Sequence, residues 1–202
     1  MSYSKRTASF LCLLLLATSA KVGAADREGR FAFEGAGLGT CQQFISNRDK
    51  NSTDFFLYAG WIDGYVTGLN RFMPETYDLA PWQTTEVLVA MVASYCSQNP
   101  EANFAGAVER LGAHLKTERL VRREELIQVS YQDRTVLIYP SVLDRVKKAL
   151  LSQGLLKGPL GKGFDEPTAL ALMEFQRRHK LEVNGLPTHV SLTRLFASES
   201  KK

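Results

Sequence analysis

Residues 54–72 read Asp-Phe-Phe-Leu-Tyr-Ala-Gly-Trp-Ile-Asp-Gly-Tyr-Val-Thr-Gly-Leu-Asn-Arg-Phe. Tyr58, Trp61, Ile62, Tyr65, Val66 and Leu69 recur at steps of three and four, which places them on one face of a helix. Asp54 stands where an N-cap is expected, and Pro74 ends the segment. Gly60, Gly64 and Gly68 fall four apart beside the apolar face. Glycine in a helix costs about 1 kcal/mol relative to alanine. The spacing therefore predicts that another helix comes close there, with a ligand groove as the alternative.

Working outward, Thr40 and Gln43 form a capping box for a short helix carrying Cys41, Phe44 and Ile45. Residues 85–98 hold Val87, Leu88, Met91, Val92, Tyr95 and Cys96 at helical spacing, and Asn99-Pro100 breaks the run. Phe104, Val108, Leu111 and Leu115 mark a fourth helix. Residues 40–116 thus form a small four-helix domain. Residues 26–39 are polar and glycine-rich and are expected to be a flexible lead-in. Residues 117–139 connect this domain to the next, with charged, helix-compatible residues first. Two β segments follow, Glu125 to Tyr131 and Thr135 to Tyr139, around Gln132-Asp133-Arg134.

The chain begins as an exported one would. Lys5 and Arg6 precede an apolar run, Phe10 to Ala17, and small residues follow through Ala20, Ala24 and Ala25. That is the order of a secretory signal peptide over residues 1–25. The apolar run is far shorter than the roughly 20 residues that span a bilayer, so no stable membrane insertion is expected after cleavage. Removal of the segment takes Cys12 with it and leaves Cys41 and Cys96. Two cysteines in an exported chain favour one disulfide. A metal pair would need two further ligands, and a catalytic thiol needs a His base. His114, His179 and His189 stand in no such motif. The 202 residues carry a formal net charge of +4. Removing residues 1–25 lowers that to +1, and the remainder is uneven: 11 basic and 15 acidic residues in 26–140, 11 basic and 6 acidic in 141–202. A nucleic-acid partner is not expected of an exported chain with no basic motif, and a mildly basic C-terminal unit suits an anionic polymer.

That C-terminal unit has its own pattern. Ser141 with Asp144 caps a helix bearing Val142, Val146, Leu150 and Leu151, and Gly154 closes it. A turn-rich loop holds Gly158, Pro159, Gly161 and Gly163. Asp165 caps a second helix with Pro167 in its first turn and Leu170, Leu172 and Phe175 along it. After the turn Val183-Asn184-Gly185-Leu186-Pro187, Thr188 caps a last short helix with Val190, Leu192, Leu195 and Phe196. The expected fold class is therefore all-α: a disulfide-stapled four-helix domain, then a three-helix unit over residues 140–196, with a short β-hairpin between them and a tail over 197–202.

The stretch Tyr139 to Phe196 resembles the peptidoglycan-binding-like domain of bacterial envelope proteins. The likeness is carried by Leu150, Gly154-Leu155-Leu156, Gly158-Pro159-Leu160, Thr168-Ala169-Leu170, Phe175-Gln176, Asn184-Gly185-Leu186-Pro187-Thr188 and Leu192. Leu160-Gly161-Lys162-Gly163 stands where that family has Asp-Gly, and Asn184 replaces its second Asp. The resemblance implies a wall-binding module with a shallow groove edged by the two glycine loops. Its candidate contacts are Lys162, Phe164, Arg177 and Asn184, since a cation, an exposed ring and an amide suit acetamido sugars and stem-peptide carboxylates. Phe56 to Asn70 together with Cys96-x-x-Asn99-Pro100 is similar to exported single-disulfide helical domains. Acid-stress chaperones of the HdeA type are of that kind. So are immunity proteins against peptidoglycan amidases delivered by type VI secretion.

No enzyme is expected. Zinc hydrolases need two or three His or Asp ligands with an acidic base, and a transglycosylase needs an acid Glu in a cleft. The three His stand in no His-x-x-Glu or His-x-His pattern, no domain of sufficient size remains for a transglycosylase, and no cofactor or metal is implied. Asp63, in the aromatic helix, is the one suggestively placed carboxylate, and helical spacing puts it on the solvated side. With Tyr65 it forms the candidate partner-binding pair. The function expected is a non-catalytic protein of the periplasm or envelope exterior, binding peptidoglycan through its C-terminal unit and an envelope protein through its N-terminal domain. An amidase inhibitor and an acid-stress chaperone are the alternatives.

Overall fold

The computed structural model describes Asp26 and residues 28–197. The signal segment expected over residues 1–25 lies outside the described residues. Met1–Ala32 is a separate unit, in which Asp26 accepts hydrogen bonds from the backbone of Glu28 and Arg30.

Seven α-helices and one two-stranded hairpin occur among the described residues. Four helices lead: α1 (Cys41–Asp49), α2 (Thr53–Phe72), α3 (Thr85–Cys96) and α4 (Phe104–Leu115). The capping box is present, with Thr40 Oγ1 accepting from the Gln43 N–H and Gln43 Oε1 accepting from the Thr40 N–H. Cys41 and Cys96 form a disulfide, which ties the first residue of α1 to the last of α3. Around it lie Phe44, Tyr58, Ile62, Leu88, Val92, Phe104, Val108 and Leu115, all buried. The ring of Phe104 sits at the centre, 5.0 Å from Phe44 and edge-on to Tyr58 at 4.8 Å.

Several local expectations are corrected. Helix α2 starts at Thr53, so Asp54 lies in its first turn and Ser52 takes the N-cap position. Asp54 there serves the helix dipole rather than an N–H. The lead-in is not uniformly loose: Gly35–Leu38 forms a 3-10 turn with Gly37 buried. A Cβ on Gly37 would meet the Trp61 ring at 2.6 Å. The glycines of α2 do not admit a neighbouring helix, because a Cβ at Gly60, Gly64 or Gly68 would touch nothing within 4 Å. Close approach occurs instead at Gly112 of α4, where a Cβ would stand 2.7 Å from Leu69 Cδ1. Residues after α4 do not extend it. Leu120 is buried and bridges to Asp78, with N–H to O distances of 2.7 and 3.2 Å. Burying one leucine outweighs the helix compatibility of its charged neighbours.

The hairpin comprises β1 (Ile127–Tyr131) and β2 (Arg134–Ile138), antiparallel with Val129 opposite Val136. Its loop is two residues long, and Gln132 at φ 54° takes the left-handed position that glycine usually fills. The inward residues Val129 and Ile138 lie in a second hydrophobic core with α5 (Pro140–Ser152), α6 (Glu166–Arg178) and α7 (His189–Ala197). Ser141 does not cap α5. Pro140 already occupies the first turn, Tyr139 takes the cap position, and Ser141 Oγ has no hydrogen-bond partner. Glycine at φ +69° ends α5 at Gly154, and the Leu155 N–H returns to the Leu150 carbonyl at 2.9 Å. Asp165 caps α6 through the Thr168 N–H at 3.0 Å. Helix α7 runs through Ala197, one residue into the expected tail.

Candidate functional site

The loops of the C-terminal unit are held from within by two buried polar side chains. Gln176, 0% exposed on α6, reaches the turn before α7. Its Oε1 accepts from the Asn184 and Gly185 N–H groups at 2.9 Å each. Its Nε2 donates toward Asn184 Oδ1, the Leu186 carbonyl and Ser191 Oγ at 2.9–3.0 Å. Lys147, 1% exposed on α5, holds the other loop. Its Nζ donates to the Gly161 carbonyl at 2.8 Å and lies 3.6 Å from Asp165 Oδ2. The Thr168 hydroxyl, its backbone N–H and the Lys147 charge together hold the Asp165 carboxyl below the usual carboxylate range, against the opposing pull of burial. The carbonyl and the carboxylate stand in for the water that the buried ammonium gave up.

The four wall-binding candidates are not brought together. Lys162 is exposed and Phe164 half-buried on the loop before α6. Arg177 and Asn184 lie at or beyond the far end of that helix. The 13 residues from Phe164 to Arg177 separate the pairs by about 20 Å at the rise of an α-helix. A single groove edged by both glycine loops is therefore absent. Phe164 packs on the second core. Arg177 is exposed and ion-paired with Glu174. Asn184 spends its carbonyl on Gln176 and on the Leu186 N–H at 3.0 Å. Of the four, Lys162 keeps its side chain free for solvent, and Lys157 is exposed on the same loop.

Asp63 and Tyr65 also part company. Asp63 is half-buried, and its Oδ2 accepts from the Thr85 hydroxyl at 2.8 Å, joining α2 to the start of α3. Tyr65 stacks on Trp61 with centroids 5.5 Å apart and faces Gly112 of α4. Burial, and the nearby Glu109 carboxylate, push its phenol above the ordinary value. The solvent face of α2 is a different stripe: Leu57, Gly60, Gly64 and Phe72, with Leu57 65% and Phe72 74% exposed.

A further set joins the two cores. The Arg145 guanidinium of α5 meets Glu118 with N–O distances of 2.7 and 2.9 Å and lies 3.8 Å over the Phe196 ring. Trp82 meets Phe196 edge-on at 5.3 Å and donates Nε1–H to Glu118 at 3.4 Å. His189 Nδ1 lies 3.0 Å from the Trp82 carbonyl. A carbonyl only accepts, so Nδ1 carries the proton. Burial pushes the Glu118 carboxyl up, but Arg145 and Trp82 pull harder and hold it below the ordinary value. Sequence patterns gave no access to this set. Trp82 lies in a proline-flanked loop, Glu118 in a charged run, and Arg145 on an amphipathic helix, so nothing in their spacing relates them.

Among the described residues, no three His, Cys, Asp or Glu side chains gather as a metal site would require. No described helix is long and apolar enough to cross a membrane. The chain matches no family model, no curated protein and no solved structure.

Proposed function

We propose that this chain is an exported envelope protein without catalytic machinery, and that it holds peptidoglycan through residues 140–196. The observation that carries this is the loop 157–163. Buried Lys147 pins it at Gly161, and Lys157 and Lys162 stand exposed on it. Two cations on a preorganised turn, in a half of the chain with excess positive charge, suit the carboxylates of an anionic wall polymer. The wall contact is accordingly centred on Lys157 and Lys162, with Arg177 and Asn184 outside it. The disulfide between Cys41 and Cys96 is consistent with an oxidising compartment.

Retention of the full chain on purified, enzyme-stripped sacculi tests this. Binding should fall at least tenfold in a Lys157→Glu, Lys162→Glu double variant and weaken with salt. A folded chain that is not retained ends the wall-binding proposal.

The exposed stripe of α2 favours a protein partner on the four-helix half. An inhibitor of a peptidoglycan amidase is the second reading. Co-purification with an amidase, lost on Leu57→Asp, would support it.

A further inference from the structure

Strand β2 has β1 on one side and no described strand on the other. In their register, Tyr131 pairs with Arg134, Val129 with Val136 and Ile127 with Ile138. The pair that closes a two-residue turn is hydrogen-bonded, and bonding alternates from there. The main-chain groups of Arg134, Val136 and Ile138 therefore face β1, and those of Thr135 and Leu137 face away from it. Among the described residues, neither Thr135 nor Leu137 makes a main-chain hydrogen bond on that side. The Leu137 side chain is also 63% exposed.

A groove of about 490 Å³ lies along this edge, with Trp82, Pro187 and Leu192 facing Val136, Leu137 and Ile138. Side chains of a strand alternate between faces. Three consecutive residues can line one groove only along the strand's edge, so the unpaired N–H and C=O of Leu137 border it. We propose that this groove takes an extended segment of a partner protein. The segment adds a third strand beside β2, pairs its backbone with Leu137, and seats one apolar side chain among Trp82, Pro187 and Leu192.

Three features select that occupant. A helix has used its own main-chain groups and cannot satisfy an open strand edge, whereas an extended chain can. No residue lining the groove is acidic or carries a Lys or Arg charge. Charge complementarity thus asks for an uncharged apolar segment and disfavours an anionic glycan polymer. The groove is also continuous with the Trp82–Phe196 interface, and the His189 Nδ1–H bond to the Trp82 carbonyl fixes its wall. The proposal does not depend on wall binding by the 157–163 loop.

The test uses the full chain and a random displayed heptapeptide library. Selection should enrich peptides with apolar residues at alternate positions. The strongest of these, made as a capped peptide, should slow amide exchange at Leu137 at least tenfold. N-methylation of its central residue should weaken binding at least tenfold without touching the protein, and Leu137→Pro should do the same if the hairpin folds. No enrichment, or protection elsewhere than β2, overturns the proposal. So does equal binding of the N-methylated peptide, which would show that no strand pairing occurs. A concentration-dependent dimer that protects Leu137 without peptide assigns the edge to a second copy and likewise overturns it.

Discussion

Gln176 and Asn184 bond to each other in both directions: Gln176 Oε1 accepts the Asn184 N–H and Gln176 Nε2 donates to Asn184 Oδ1, each at 2.9 Å. The glutamine is fully buried, so these bonds are the only way its amide recovers what it loses on leaving water. Replacing it by leucine strands the N–H groups of Asn184 and Gly185, while the Leu186 carbonyl keeps the Thr188 N–H at 2.9 Å. At roughly 1–3 kcal/mol for each group left unpaired, Gln176→Leu should lose at least about 2 kcal/mol. A lowered denaturant midpoint, with amide protection lost first in residues 183–187, is the expected outcome. An unchanged midpoint would remove this pair as the staple of the turn.

Lys147→Met should loosen the loop at 157–163 while leaving α5 formed. Methionine keeps the apolar stem in its place, but the Gly161 carbonyl and Asp165 lose their cation. The cost should be about 1.5–3 kcal/mol, the range for a hydrogen bond to a charged group. Hydrogen exchange should rise in residues 157–163 and not in β1–β2. The Asp165 carboxyl should also titrate higher than in the parent, since one of the causes of its lowered pKa is gone.

The Glu118–Arg145 pair sets a pH dependence. The Glu118 pKa is depressed in the folded chain. Its contribution is therefore present above the ordinary glutamate pKa and is lost as pH falls through the lower folded value. Glu118→Gln should cost about 2 kcal/mol at pH 7, as expected for a charge-assisted hydrogen bond. The difference in Tm between parent and variant should shrink as the medium becomes acidic. A difference that stays constant with pH would mean the ion pair does not hold the two cores together.

The glycines separate by what stands next to them. Gly64→Ala should stabilise the chain by about 1 kcal/mol, because a Cβ there meets nothing within 4 Å. Gly112→Ala should gain less than Gly64→Ala, since its Cβ would lie 2.7 Å from Leu69 Cδ1 and the Leu69 side chain must shift to admit it. Thermal unfolding of the two variants in parallel decides this, and equal stabilisation by both would contradict the close packing of α2 on α4 at Gly112.

Reduction of the Cys41–Cys96 bridge, or its replacement by two serines, should lower stability by roughly 4 kcal/mol, the chain-entropy estimate for closing a loop of this length. The measurement is denaturant unfolding with and without reductant, and an unshifted midpoint would show that the staple adds nothing.

What the sequence determined by itself is local or covalent in origin. The periodicity of Tyr58, Ile62 and Val66 specified a helix face, because burying that face is the main stabilising term open to it. Thr40 with Gln43, and Asp165 before Thr168, marked helix starts through bonds spanning three residues. Cys41 and Cys96, the two cysteines outside the expected signal segment, left one pairing, and that bridge is present. The hairpin was visible as two β segments, although its turn lacks glycine.

Only the tertiary structure decided which side chains meet. Gly60, Gly64 and Gly68 looked like a place for a neighbouring helix, but the neighbour crosses at Gly112, on a face that no spacing within α2 can reveal. Lys147 was indistinguishable in sequence from its exposed neighbour Lys148, and it is buried because the fold brings the Gly161 carbonyl to its ammonium. Lys162, Phe164, Arg177 and Asn184 share a chemistry but not a place, since a rigid helix keeps the two loops apart. The join of Trp82, Glu118, Arg145 and Phe196 spans more than a hundred residues of chain. Local propensity carries no information over such a distance, and the pairing exists because both cores must cover apolar surface at their boundary.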